Sequence, residues 1–160
     1  MHLREQLADR STWTIQGRCP VEKAMKVVGS RNAMLIMREA FYGTSRFADF
    51  ASLVGMSTAT TASNLKALTE AGLLERRPYR DDGARVRDEY VLTPAGTDLM
   101  PVVLGLFAWG STHADSLPPV ELTHTGCGEP VQVHVTCAAG HELATDDIDV
   151  RVRAADDRED

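Results

Sequence analysis

The sequence predicts an α+β fold, and three observations carry that expectation. Four short segments with apolar residues at helical spacing follow one another between Cys19 and Gly72, each bounded by a cap residue or a glycine. Two β-rich runs, Leu73 to Tyr79 and Val86 to Leu92, then flank Asp81-Asp82-Gly83, a turn signal. A last, strongly apolar helical segment starts at Thr93-Pro94. Helices followed by a hairpin and a closing helix make the order of a winged helix-turn-helix domain, in which a recognition helix feeds a β-wing. A small β-rich tail, zinc-ribbon-like in its ligand pattern, follows.

The chain has 160 residues, enough for one compact domain and an appendage. No apolar run reaches the roughly 18 residues of a membrane span. The N-terminus lacks a basic region followed by an apolar core and a small-residue cleavage site, so no secretory signal is expected and the setting reads as bacterial and cytoplasmic. Three cysteines argue against a disulfide scaffold. The formal net charge of −6 speaks at first against DNA. Its distribution reverses that: Met1 to Ala114 carry 14 Lys+Arg and 12 Asp+Glu, whereas the remainder carries 3 and 11. The excess acid sits in the tail, and contact with phosphate depends on local charge.

Each element has its own reason. Residues 1–18 are mixed and read as an arm. Pro20 and Glu22 mark a helix start, with Val21, Met25 and Val28 on one face and Gly29-Ser30 as the stop. Ser30 also caps the next helix, Arg31 to about Tyr42, whose apolar residues include Leu35, Ile36 and Phe41. Gly43-Thr44-Ser45 breaks the chain; Phe47, Phe50 and Leu53 mark a third helix ending near Gly55. Ser57 caps the fourth, which stops at Gly72. Thr93 caps a single terminal helix over 94–115, carrying Leu99, Val102, Val103, Leu106, Phe107 and Trp109. It is apolar over more than half its circumference, so it needs a second partner, most simply its symmetry mate. The domain is therefore expected over 19–115. Pro118-Pro119 marks a boundary. The tail, 119–154, holds strands at Val131–Val135 and Ile148–Val152, and 155–160 form a disordered acidic end.

The fourth helix is the candidate reader of DNA. Thr58, Thr60, Ser63, Asn64 and Ala67 surround a core stripe of Leu65 and Leu68, with Thr61 one turn earlier. Small hydroxyl and amide groups let a helix approach a groove closely; Asn pairs bidentately with adenine, and Ser or Thr reach bases or phosphates. Ser57 leaves a helix N-terminus suited to a phosphate, and Lys66 adds a positive charge on the same helix. Arg76, Arg77, Arg80, Arg85 and Arg87 cluster on the wing, where they could track phosphates or enter the minor groove. Asp81, Asp82, Asp88 and Glu89 lie among them, so a charge-balanced surface is the alternative.

These segments resemble the HxlR family of bacterial winged helix-turn-helix regulators. The resemblance rests on Cys19-Pro20-Val21-Glu22, on Arg46-Phe47 with Phe50 behind, and on the Ser57 helix closing in Leu68-Thr69-Glu70-Ala71-Gly72-Leu73-Leu74-Glu75-Arg76-Arg77-Pro78-Tyr79. It continues in Glu89-Tyr90-Val91-Leu92-Thr93-Pro94-Ala95-Gly96 and ends at Trp109-Gly110. It implies a homodimer, a repressor in type, binding an inverted-repeat operator with terminal helices in the dimer interface. It also implies a small-molecule, oxidant or electrophile effector in some members. Cys19 matches a cysteine that some members use as a redox switch; a small buried hydrophobe is the other reading. The pockets of such dimers nominate Met25, Met37, Phe41, Phe107 and Trp109 as liners. Two departures are visible. The family usually has Gly-Gly-Lys-Trp where this chain has Gly29-Ser30-Arg31-Asn32, and Ser63 and Asn64 stand where arginine is frequent.

The tail carries His124-x2-Cys127 and Cys137-x3-His141. Two short ligand pairs on two turns suit tetrahedral zinc, the one cofactor the sequence nominates. Gly126 and Gly128 permit the tight first turn. A Cys127–Cys137 disulfide or two free thiols are the alternatives. No nucleophile elbow, phosphate loop, HExxH or GxGxxG occurs, so no enzyme is expected. The competing functional reading is a winged-helix protein-interaction module with an acidic partner-binding tail.

Overall fold

Caps and breakers set the elements. In the computed structural model, which describes residues 1–15, 17–80, 86–114 and 119–152, they are β1 (His2–Leu3), α1 (Pro20–Val28), α2 (Arg31–Phe41), α3 (Phe47–Val54), α4 (Thr58–Glu70), β2 (Leu74–Tyr79), β3 (Arg87–Leu92), α5 (Pro94–Thr97), α6 (Met100–His113) and β4 (Asp149–Val150). Short 3-10 turns lie at Glu5–Leu7 and Thr145–Asp147. The expected turn at Asp81-Asp82-Gly83, Arg85 and the acidic end 155–160 lie outside the described residues. The chain divides into two compact units: Cys19–Glu121, and Met1–Arg18 together with Leu122–Asp160.

In the first of these, Pro20 opens α1, where its missing N–H costs nothing. Ser30 Oγ accepts from the Ala33 amide at 3.1 Å and starts α2. Ser57 Oγ accepts from the Thr60 amide at 3.2 Å and starts α4. Such caps contribute about 1 kcal/mol each. The α4 helix ends where Gly72 turns left-handed, φ +73°, and the Leu73 amide donates back to Leu68 O at 3.0 Å, delivering the chain to β2.

Helices α2, α3 and α4 and the hairpin enclose one core. Ile36, Met37, Phe50, Leu65, Leu68 and Leu74 are fully buried, and Phe50 meets Tyr90 edge-on at 6.4 Å. The β2–β3 pair is antiparallel, with Leu74 opposite Leu92 and Tyr79 opposite Arg87. Strand β3 gains a further neighbour on its other side. The Tyr90 amide donates to Ser45 O at 2.8 Å and Arg46 bridges Glu89, so the segment before α3 anchors the wing to the helices.

Four expectations need correction across the two units. The single helix over 94–115 is two helices, α5 and α6, joined at Asp98-Leu99. Pro101 is the cause: it has no N–H to bond Thr97 O, and its ring collides with that carbonyl. In the other unit Val131–Val135 forms no strand ladder; isolated bridges stand on either side, Thr123 with Pro130 and Thr136 with Glu142. Pro130 cannot donate to a ladder at that point. The expected strand Ile148–Val152 shortens to β4, which pairs in parallel with β1, His2 opposite Asp149 and Leu3 opposite Val150. Arg4 Nε donates to Asp149 Oδ1 at 2.7 Å beside that pairing. The arm and the tail, expected as separate pieces, thus form one unit, with Leu7 as the buried hydrophobic among its described residues and Trp13 Nε1 donating to Leu7 O at 2.9 Å.

Candidate nucleic-acid interface

Helix α4 turns one face to the core and one to solvent. Thr61, Leu65 and Leu68 are buried; Thr58, Ala59, Ala62, Ser63, Lys66 and Ala67 are exposed. The exposed set recurs at helical spacing and is made of small side chains with one cation. A helix built so presents its backbone closely to a groove floor and places a positive charge at the rim. Ala59 and Ala62 belong to this face, though sequence reading attended to the polar residues and passed over them; the i, i+3 spacing was the available signal.

Three of the nominated polar residues behave differently from the rest. Thr61 is fully buried, its hydroxyl donating to Ser57 O at 2.9 Å, so it cannot touch DNA; this corrects its place among the contact residues. A β-branched hydroxyl in the core stripe satisfies itself on the preceding turn. Asn64 is half-buried and its Nδ2 donates to Thr60 O at 2.9 Å, which leaves its side-chain oxygen as the unengaged end among the described contacts. Thr60 shares a hydrogen bond of 2.9 Å with the Ser57 hydroxyl at the helix start. Ser57, Thr58 and Ser63 are exposed as expected.

On the wing, Arg77, Tyr79 and Arg87 share one face, and Arg76 lies on the other. Arg77 pairs with Glu75 at 2.5 Å, and Arg76 reaches Asp88 at 3.9 Å. Both pairs are about half exposed, where an ion pair contributes less than about 1 kcal/mol. Phosphate can therefore displace the carboxylates at little cost. Arg80 and Arg87 are also exposed. Arg46 stacks over the Tyr79 ring at 4.8 Å, which orients a guanidinium beside the turn end of the wing strands that sequence reading did not nominate. A cleft of about 760 Å³ opens there, lined by Arg46, Phe47, Tyr79, Arg87 and Tyr90 among others.

The remaining candidates scatter. Cys19 is half-buried and sits at the N-cap of α1 without a side-chain cap bond. Met37 is fully buried in the core, which removes it from any pocket lining. Met25 and Trp109 are exposed, at 57% and 66%, and Phe41 and Phe107 are half-buried; none of the five lines the cleft beside the wing. In the other unit His124 Nδ1 stands 3.2 Å from Cys127 Sγ, and Cys137 Sγ 3.6 Å from His141 Nδ1. The backbone amide of His141, with that of Ala139 next, holds the Cys137 thiol below its ordinary pKa. The two expected ligand pairs stand as separate pairs: among the described residues no three His, Cys, Asp or Glu side chains gather round one point.

A helix-turn-helix with a small-residue reading face, continued by an arginine-bearing hairpin, defines a winged helix-turn-helix transcriptional regulator. The HxlR-like helix-turn-helix family model matches residues 27–118, and the chain belongs to that family. It is 39% identical over 126 residues to the HTH-type transcriptional regulator Rv3095 of Mycobacterium tuberculosis, covering 77% of this chain and 78% of that protein. Among solved structures it is similar to the transcription factor PA1607, with a TM-score of 0.74 at 32% identity over 87% of this chain and 96% of that one. It is also similar to the reduced form of the redox regulator HypR, with a TM-score of 0.56 at 26% identity over 61% and 95%. The chain is thus a DNA-binding regulator and not an enzyme. Among the described residues no helix is long and apolar enough to cross a membrane.

Proposed function

We propose that this protein is a homodimeric repressor that acts in the bacterial cytoplasm and binds an inverted-repeat operator through two copies of α4 and the wing. One observation carries the reading. None of the 14 residues of α6 is buried, although the helix is almost wholly apolar; Val102, Leu106 and Trp109 are 50–66% exposed. On α1, Val21 and Met25 are exposed as well. Apolar helices left this open on a small domain are covered by a second copy, and a twofold dimer that reads two half-sites must hold its two α4 helices about 34 Å apart, one turn of B-DNA.

Release is controlled by a redox signal or a small molecule. Cys19 supports the first, being partly accessible at a helix N-terminus, and HypR, a redox regulator, is among the similar structures. A small effector would bind among α1, α2 and α6, where Met25, Phe41, Phe107 and Trp109 stand. The test is a mobility-shift titration on the DNA upstream of the protein's own coding sequence. Expected is specific binding that weakens steeply with salt as counterions are released. A flat salt dependence, or no preference over random DNA, would instead mark a protein-interaction module. In the same assay diamide should release the wild type but not Cys19→Ser; equal release of both excludes Cys19 as the sensor.

A further inference from the structure

The unit made of the arm and the tail is short of internal cohesion. Among its described residues Leu7 is the buried hydrophobic, while Val131, Val133 and Val135 stay 40–58% exposed. A module of this size needs a covalent or metal staple when its apolar core is so thin. Its cysteines are free, so no disulfide supplies one.

Two turns in it share an unusual construction. In the first, the His124 amide donates to Glu129 O at 2.9 Å and the Gly128 amide to His124 O at 2.8 Å, with Gly128 at φ +78°. A Cβ at Gly126 would stand 2.8 Å from His124 Cε1, so a larger residue there would push the imidazole away from its place beside Cys127. In the second, the Cys137 amide donates to His141 O at 3.0 Å and the Gly140 amide to Cys137 O at 2.8 Å, with Gly140 at φ +84°. Each turn thereby sets one thiol sulfur beside one imidazole Nδ1, 3.2 Å apart in the first and 3.6 Å in the second. Zn–S of about 2.3 Å and Zn–N of about 2.0–2.1 Å at a tetrahedral angle put two such donors roughly 3.6 Å apart. Both pairs stand near the bite of one zinc ion.

We propose that these two turns are the halves of a single structural zinc site, His124–Cys127 and Cys137–His141, and that the metal draws them together. One pair supplies two donors, half of what a closed tetrahedral site requires. Nine residues separate Cys127 from Cys137, and the stretch Val131–Val135 between them is not held in a strand ladder, so bringing the turns together breaks no sheet. Zinc displaces one proton from each thiol, giving a Cys2His2 centre with two bound thiolates and two protons released.

The experiment is titration of the full-length, reduced protein with Co(II) as an optical stand-in for zinc, followed by zinc displacement. Expected are one Co(II) per chain, thiolate-to-metal charge transfer with the intense visible bands of a tetrahedral site, and two protons released per ion. The signal should persist in Cys19→Ser and vanish in Cys127→Ser and in Cys137→Ser. A weak octahedral spectrum, or a tetrahedral one that survives loss of either cysteine, overturns the proposal. Because a variant can fail to fold, hydrogen exchange on the wild type gives an independent reading. Zinc at about 100 times its Kd should slow exchange in residues 122–143 by up to about a hundredfold and leave 19–114 unchanged. Unchanged exchange in residues 122–143 at saturating zinc overturns it equally.

Discussion

Thr61 and Lys66 lie five residues apart on one helix and do opposite work. Thr61 is sealed in the core with its hydroxyl on Ser57 O; Lys66 is exposed and shares its charge loosely with Glu70 at 3.6 Å. Thr61→Val keeps the volume and loses the buried hydrogen bond, which costs about 0.5–1.5 kcal/mol of stability. Operator affinity should stay at the wild-type value. Lys66→Ala should leave stability nearly untouched, weaken binding to all DNA alike and reduce the salt slope by about 1. Thermal melts beside salt titrations of binding separate the two; a loss of operator affinity in folded Thr61→Val would return that residue to the interface. Both side chains are ordinary members of a Ser/Thr/Lys-rich segment in the sequence. The phase of the helix decides between them, and Thr61 follows Leu65 and Leu68 into the core because 3.6-residue periodicity leaves it no other face.

The elements of residues 19–114 were legible because each ends in a chemical signal: Pro20, Ser30, Ser57, Gly72 and Thr93 fall at the boundaries observed. The break at Asp98-Leu99 was missed because the apolar pattern runs straight through it; only Pro101 marks it. The β1–β4 pairing was missed because two-residue strands far apart in sequence leave no periodic trace. Gly96 is a tight point of a different kind. A Cβ there would lie 2.1 Å from Leu73 O, so α5 can rest on the start of β2 only while this residue is glycine. Gly96→Ala should destabilise the domain by roughly 1–3 kcal/mol, as an overpacked contact does, read as a lowered midpoint in urea with unchanged slope. At the β1–β4 clasp, hydrogen bonds from Arg4 and then Arg151 hold the Asp149 carboxyl below its ordinary value of 3.8. A lowered folded pKa means that the contribution is complete above 3.8 and is lost as pH falls through the folded value. The Arg4 amide, bonded to Val150 O at 3.0 Å, should keep its exchange protection from neutral pH down to that point and lose it only below. Loss of protection near neutrality would show that another group closes the clasp.

At the scale of the whole molecule, the charge map and the exposed helices meet. The excess acid of this chain lies after Ala114, where 3 Lys+Arg stand against 11 Asp+Glu, so residues 19–114, with 11 Lys+Arg and 10 Asp+Glu, are close to charge balance despite the net −6. Its fourth helix carries Ser63 and Asn64, so on the proposed reading the affinity comes from Lys66 and the wing arginines more than from the groove floor. A single α4 with so few cations binds DNA weakly; two copies held at fixed separation multiply the effect through effective concentration. The account therefore turns on the apolar faces of α6 and α1 being closed by a second chain. Sedimentation equilibrium of the full-length protein at micromolar concentration tests that most directly. Twice the 17.5 kDa chain mass is expected, falling towards a single chain when Leu106 or Trp109 is replaced by glutamate. A wild-type protein that sediments at 17.5 kDa across the concentration range would contradict it.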